Sequence, residues 1–212
     1  MYRDIKPAEA PSGWTPDVVC IDRLVWSPKI PAELKSMFMP KPGALEPPAT
    51  FINENVNVVG TYNNSPKVTR KNVKIKRITD PKHPCCGAYG LYAAQTLAPK
   101  QLIIDYIGIV EYRDQYDPKS DYVLRFGPDL SIDAGRYGNE ARFCNDFRGI
   151  GEKPNVCFLN YQDERTKAIR VGIFVQSTKE KIKKGDELLV TYGKSFWTKR
   201  GVQLKNQSNT EP

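Results

Sequence analysis

Two short segments hold the side chains best suited to chemistry. They are Arg142-Phe143-Cys144-Asn145-Asp146 and, roughly fifty residues later, Tyr192-Gly193-Lys194-Ser195-Phe196-Trp197. Each combines a turn former, a carboxamide or phenol, and a bulky aromatic. That mixture is costly in a plain core, because buried polar groups need partners. The chain reads as built to bring the two segments together. His83 is the only histidine, which removes Ser-His and Cys-His nucleophile systems and most zinc hydrolases. Catalysis then falls to Tyr, Asp, Glu, Lys, backbone groups or a bound cofactor. His83 itself, in Lys82-His83-Pro84, reads as a surface turn residue.

The elements that must position these segments come from 212 residues, enough for one sizeable core with or without a smaller appended piece. A formal charge of +8 suits a polyanionic partner such as DNA without locating a site for it. The charge is uneven. Between residues 105 and 133 seven acidic residues (Asp105, Glu111, Asp114, Asp117, Asp121, Asp129, Asp133) face three basic ones (Arg113, Lys119, Arg125). A concave surface there would attract a cationic peptide. The five cysteines form no C-x-x-C pair, so the expectation is free thiols, no structural metal and an intracellular setting. The N-terminus lacks a secretory apolar run, and no stretch has the length of a membrane span.

Residues 1–71 hold 10 of the 17 prolines. They read as an irregular extension with about two helical turns over Pro31-Ala32-Glu33-Leu34-Lys35-Ser36-Met37-Phe38. Trp14, Trp26, Phe38 and Phe51 are too many large apolar groups for a free tail, so the extension is expected to drape over the main domain. Residues 72–78 alternate apolar and charged side chains with the period of a half-buried strand, and their basic face could meet DNA. Further strand-like runs cover 101–110, 121–126, 156–161, 168–176 and 187–191. The fold class is therefore mainly β, with only one or two short helices.

Taken alone, Gly87-Ala88-Tyr89-Gly90 is a weak turn signal. Its value comes from the motifs that succeed it along the chain: Asp105-Tyr106-Ile107-Gly108, Asp121-Tyr122, Ile132-Asp133-Ala134, Gly138-Asn139-Glu140-Ala141-Arg142-Phe143-Cys144-Asn145, Pro154-Asn155, Gly185-Asp186-Glu187-Leu188 and Tyr192-Gly193. With these motifs, residues 72–198 resemble the SET-domain protein lysine methyltransferases; 199–212 would be a tail.

The resemblance implies a SET-domain fold of small β-sheets with a few short helices, in which the segment around Asn145 is threaded as a pseudoknot under the loop before Tyr192. It implies S-adenosylmethionine as cofactor, S-adenosylhomocysteine as product and no metal. The backbone of Gly87, Ala88 and Tyr89 would meet the cofactor's amino-acid end beside Tyr122. Arg142, Phe143, Asn145 and Asp146 would complete that site, with Phe196 or Trp197 covering the adenine. Tyr106 and Tyr192 would line the lysine channel with Tyr122 and Val190, and Tyr192 would orient the amine. The implied substrate is a basic peptide such as a histone tail, with nucleosome or DNA contact through the basic surface and a nuclear location. A non-catalytic SET-like module binding chromatin or nucleic acid is the alternative.

The chain departs from the family pattern at four points. Asn145-Asp146 stands where the family usually has Asn-His. The stretch from Asn145 to Pro154 is about four residues longer than usual. The flanking zinc-binding cysteine clusters are absent. Val190 replaces a frequent aromatic, which implies more than one methyl group transferred.

Overall fold

The computed structural model describes residues 5–41, 56–64, 69–177 and 180–202. Phe51 and the end of the C-terminal tail lie outside them. In chain order the elements are β1 (Val19–Cys20), β2 (Val25–Trp26), α1 (Ala32–Phe38), β3 (Val58–Tyr62), β4 (Val73–Arg77), β5 (Tyr89–Ala93), β6 (Leu102–Asp105) and β7 (Ile109–Tyr112). Next come β8 (Val123–Phe126), β9 (Leu130–Asp133), β10 (Tyr137–Gly138), β11 (Asn145–Asp146), β12 (Val156–Asp163), β13 (Ile169–Val175), β14 (Leu189–Val190) and α2 (Lys194–Thr198).

These strands make small sheets: β3-β12-β13-β6, β2-β7-β9-β8, and the pairs β4-β5, β1-β10 and β11-β14. The alternation read over 72–78 is realised in β4, where Val73 and Ile75 are buried and Lys74 is exposed. The run 101–110 divides into β6 and β7. A Cβ on Gly108 would lie 2.4 Å from the Asp133 carbonyl oxygen, so the close approach there needs glycine. Leu91, Ile103, Val110, Ile132 and Ile173 are wholly buried in one core shared by the sheets. No helix among the described residues is long and apolar enough to cross a membrane.

The N-terminal segment is built into this core. β1 pairs in parallel with β10, and β2 with β7. α1 starts after Pro31, whose φ of −57° suits a helix entrance. It delivers Phe38 against Phe126, with ring centroids 4.7 Å apart, and Trp26 packs on both rings. Trp14 meets Phe143 edge-on at 5.4 Å, so the segment reaches directly beneath the first chemistry-bearing stretch.

The crossing that positions the site is β11 against β14. More than forty residues apart, they pair in parallel, Asn145 with Leu189 and Asp146 with Val190. The Phe147 N–H donates to the Val190 carbonyl (3.0 Å), and the Asn155 N–H to the Leu189 carbonyl (3.0 Å). Residues that follow β11, as well as β11 itself, thus bond to the same short strand. This is the pseudoknot.

Candidate active site

The turn before β5 is tight. Gly87 adopts φ +89°, and a Cβ there would meet nothing within 4 Å. Its N–H donates to the Ile78 carbonyl, and the Ala88 N–H to the Cys85 carbonyl. These amides are spent on the turn, which offers a ligand an open, exposed surface rather than free donors. Tyr89 sends its carbonyl to Asn145 Nδ2 (3.2 Å) and its ring to Phe143 (5.9 Å).

Gly90 sits over the carboxylate of Glu187: an added Cβ would lie 2.6 Å from Oε1. Glu187 accepts from Asn145 Nδ2 (3.0 Å) and from the Tyr92 hydroxyl (3.2 Å). Burial and the neighbouring carboxylate push the Tyr92 phenol up to about 12. His83 Nε2 lies 3.1 Å from Glu187 Oε2, while Nδ1 accepts the Cys85 N–H at 3.0 Å. That pair of contacts assigns the proton to Nε2. The expectation for His83 is therefore corrected. It does lie in a turn, but its side chain is only 9% exposed, because Glu187 offers it an inward partner. Sequence reasoning passes over Glu187 as a site residue, although its motif is visible; only the fold shows three elements converging on it.

Beside this floor lies a channel of about 100 Å³. Tyr106, Tyr122, Leu124, Ala141, Arg142, Cys144, Phe158, Tyr192 and Phe196 contribute to its lining. The Tyr192 hydroxyl donates to the Cys144 carbonyl (2.9 Å), and the Tyr106 hydroxyl to the Tyr122 carbonyl (2.7 Å). Burial raises both phenols well above their ordinary range, so they stay neutral. Tyr106 is held from behind by its neighbour Asp105, which meets Tyr161 (2.5 Å), Asn64 (2.6 Å) and Arg170 (2.9 Å). Burial pushes the Asp105 carboxyl up, against the pull of Arg170 and Tyr161.

Arg142 and Phe143 serve this architecture with their side chains. Arg142 Nε donates to the Ala134 carbonyl (2.9 Å), and its guanidinium lies 3.9 Å from the centroid of the Tyr122 ring. Phe143 is core, between Trp14 and Tyr89. Val190 is 1% exposed and is not part of the lining, whereas Phe158, edge-on to Tyr106 at 5.4 Å, is. After Tyr192, Gly193 (φ +83°) turns the chain into α2. Phe196 and Trp197 then come within 4.7 and 6.4 Å of the Tyr192 ring, the latter stacked. The Asp146 carboxylate faces Tyr192 and Trp197 on this side.

A groove of about 670 Å³ opens next to Tyr122, with Glu111, Asp117, Asp121 and Asp133 on its walls beside Lys119 and Arg136. Part of the acidic run is thus gathered at the channel mouth. Among the described residues, no group of three or more His, Cys, Asp and Glu is arranged to hold a metal ion.

The family model for the SET domain matches residues 88–193, half of the chain. The chain belongs to the SET-domain family. The chain is 28% identical over 143 residues to the histone-lysine N-methyltransferase EZH2 of Chaetomium thermophilum, covering 59% of this chain and 9% of that protein. It is 32% identical over 117 residues to the histone-lysine N-methyltransferase set-2 of Caenorhabditis elegans, covering 49% of this chain and 7% of that protein. The chain therefore corresponds to less than a tenth of either relative's length. In fold it resembles KRYPTONITE, solved in complex with mCHH DNA, H3(1-15) peptide and SAH, at a TM-score of 0.53 and 19% identity. That likeness covers 84% of this chain and 41% of KRYPTONITE.

Proposed function

We propose that this SET domain is a protein-lysine N-methyltransferase that uses S-adenosylmethionine and acts on a basic peptide, a histone tail being the leading candidate. One observation carries the reading: two neutral phenols, each with its proton committed to a main-chain carbonyl, line one narrow channel. Its relatives' names add support at the level of histone-lysine methyl transfer.

The residues present fit the cofactor. The exposed Gly87-Ala88 turn, the Asn145 carboxamide and the rings of Phe196 and Trp197 offer an open backbone surface, a polar anchor and aromatic faces. Ring stacking with a base is worth about 1–3 kcal/mol. S-adenosylmethionine supplies, when bound, a methyl group activated by a sulfonium centre.

The protein's own contribution is positioning and desolvation. A lysine amine with an ordinary pKa of about 10.4 must lose a proton before it attacks. A channel walled by Tyr106, Leu124 and Phe158 disfavours its charged form, so the proton passes to water without a histidine base. Because the Tyr192 hydroxyl donates to Cys144, its lone pairs remain to accept from the amine and fix its direction. The Cys144 carbonyl adds negative oxygen density there. The acidic walls beside Tyr122 favour approach of a cationic peptide. A histone substrate would place the protein in the nucleus, where the basic face of β4 is available to nucleic acid.

Incubation with labelled S-adenosylmethionine and a panel of core histones and nucleosomes tests the proposal. Label on lysine is expected. Binding of nucleosomes with neither cofactor binding nor transfer would favour the non-catalytic module instead.

A further inference from the structure

Two of this chain's departures from the SET pattern, Asp146 and the longer stretch after it, meet at one point. Asp146 Oδ2 accepts the Tyr192 N–H at 2.7 Å and the Trp197 indole N–H at 3.3 Å. The same oxygen takes Arg148 Nη1 at 2.8 Å, and Oδ1 takes the Arg148 N–H and Nη1, both at 3.0 Å. The carboxylate is 5% exposed and its guanidinium partner 28%. Arg148 belongs to the long loop, and its guanidinium lies 4.8 Å from the centroid of the Phe147 ring. A neutral ring at position 146 would need no counter-charge; a buried carboxylate does.

We propose that Asp146 and Arg148 form one positioning device: the aspartate fixes the backbone of Tyr192 and the indole of Trp197, and the longer loop exists to supply its cation. The Tyr192 ring is then held at both ends by the same segment, its amide by Asp146 and its hydroxyl by the Cys144 carbonyl. Gly193, at φ +83°, would otherwise let the chain leave Tyr192 in several directions. Trp197, stacked on Tyr192, carries the same constraint into α2. The catalytic consequence rests on Tyr192 being the residue at the amine; the structural coupling does not.

The test is a double-mutant cycle on the full chain with Arg148→Met, Asp146→Asn and the double variant. Two readouts are used: kinetics with S-adenosylmethionine and core histones, and nitrogen-15 NMR of the Tyr192 amide and Trp197 indole. Arg148→Met is expected to lower kcat about 10- to 100-fold, the range for a lost charge-assisted hydrogen bond, and to raise the KM for S-adenosylmethionine. Both resonances should move. The double variant, with charge removed from both partners, should be no worse than Arg148→Met alone.

Losses that multiply would overturn the proposal. So would a drop in melting temperature with KM and both resonances unchanged, which marks a loop brace and nothing more. If the unmodified protein transfers no methyl group, the enzymatic reading fails, and the two resonances still decide whether the pair acts on Tyr192 and Trp197.

Discussion

Asn145 and Asp146 are neighbours in β11, yet their side chains join two carboxylate clusters built on different principles. Asn145 feeds Glu187, which is surrounded by neutral donors from the turn at His83, from β5 and from β11. Asp146 faces a guanidinium, a backbone amide and an indole, all grouped around Tyr192. The first cluster holds still the floor under Gly90, next to the Gly87-Ala88-Tyr89 turn where the cofactor's amino-acid end is proposed to lie. The second holds the residue proposed to face the amine. Binding and catalysis are therefore expected to depend on separate buried anions, supplied through adjacent residues of one strand, and to fail in different ways.

Among variants of the first cluster, Glu187→Ala should produce the largest departure. It takes the acceptor from the Tyr92 hydroxyl and from His83 Nε2 and leaves Asn145 only the Tyr89 carbonyl, each lost acceptor costing about 1–3 kcal/mol. Calorimetry should show S-adenosylmethionine affinity falling at least tenfold, with kcat at saturating cofactor much less affected. A fall in kcat at unchanged affinity would erase the distinction between the clusters.

Gly90→Ala is expected to act in the same direction more weakly. A Cβ 2.6 Å from Glu187 Oε1 must displace the carboxylate from Asn145 without removing it. A cost of about 1–3 kcal/mol in melting experiments suits such overpacking. An unchanged melting temperature would show that the carboxylate moves freely, contrary to the anchored floor.

Trp197→Phe sharpens the other side. It keeps an aromatic ring at that position while removing the bond to Asp146 and part of the stacked face, so a few-fold rise in the KM for S-adenosylmethionine is expected. No rise would show that the indole N–H plays no part.

The pH profile is the smallest effect. Both site phenols are raised by burial, so their neutral forms persist past the ordinary phenol value of about 10. Turnover should therefore climb with pH as the substrate amine loses its proton, with no descending limb from either tyrosine below about pH 10. A bell-shaped profile with a falling limb near pH 8 that disappears in Tyr106→Phe would contradict this.

The strand pattern is legible in the sequence where one face is buried, as in β4, because alternation exposes the period. The helix after Pro31 is legible from the fixed φ of proline. β1, β2 and β10 are not, since two-residue strands have no period to detect and form only through tertiary pairing. The motif order points to the family and to Tyr106, Asn145 and Tyr192. It does not reveal that Arg142 spends its guanidinium on Ala134 and the Tyr122 ring, that Phe143 is core, or that Val190 is buried outside the channel lining. Nor can it show Glu187 as a hub or His83 as its partner: both depend on contacts between residues about a hundred positions apart. The Asp146–Arg148 pair is visible as letters two residues apart, but its purpose appears only where the chain crosses itself.

Tyr192 is the residue on which the proposed catalysis depends most. Its direct test is single-turnover methyl transfer to a histone-tail peptide by the wild type and by Tyr192→Phe, each with S-adenosylmethionine bound to the same occupancy. The wild type is expected to methylate lysine, and loss of one hydroxyl with the ring kept is expected to lower the rate constant at least a hundredfold, about 2.7 kcal/mol or more of transition-state stabilisation. Equal rate constants in the two proteins would contradict a role for the Tyr192 hydroxyl at the amine.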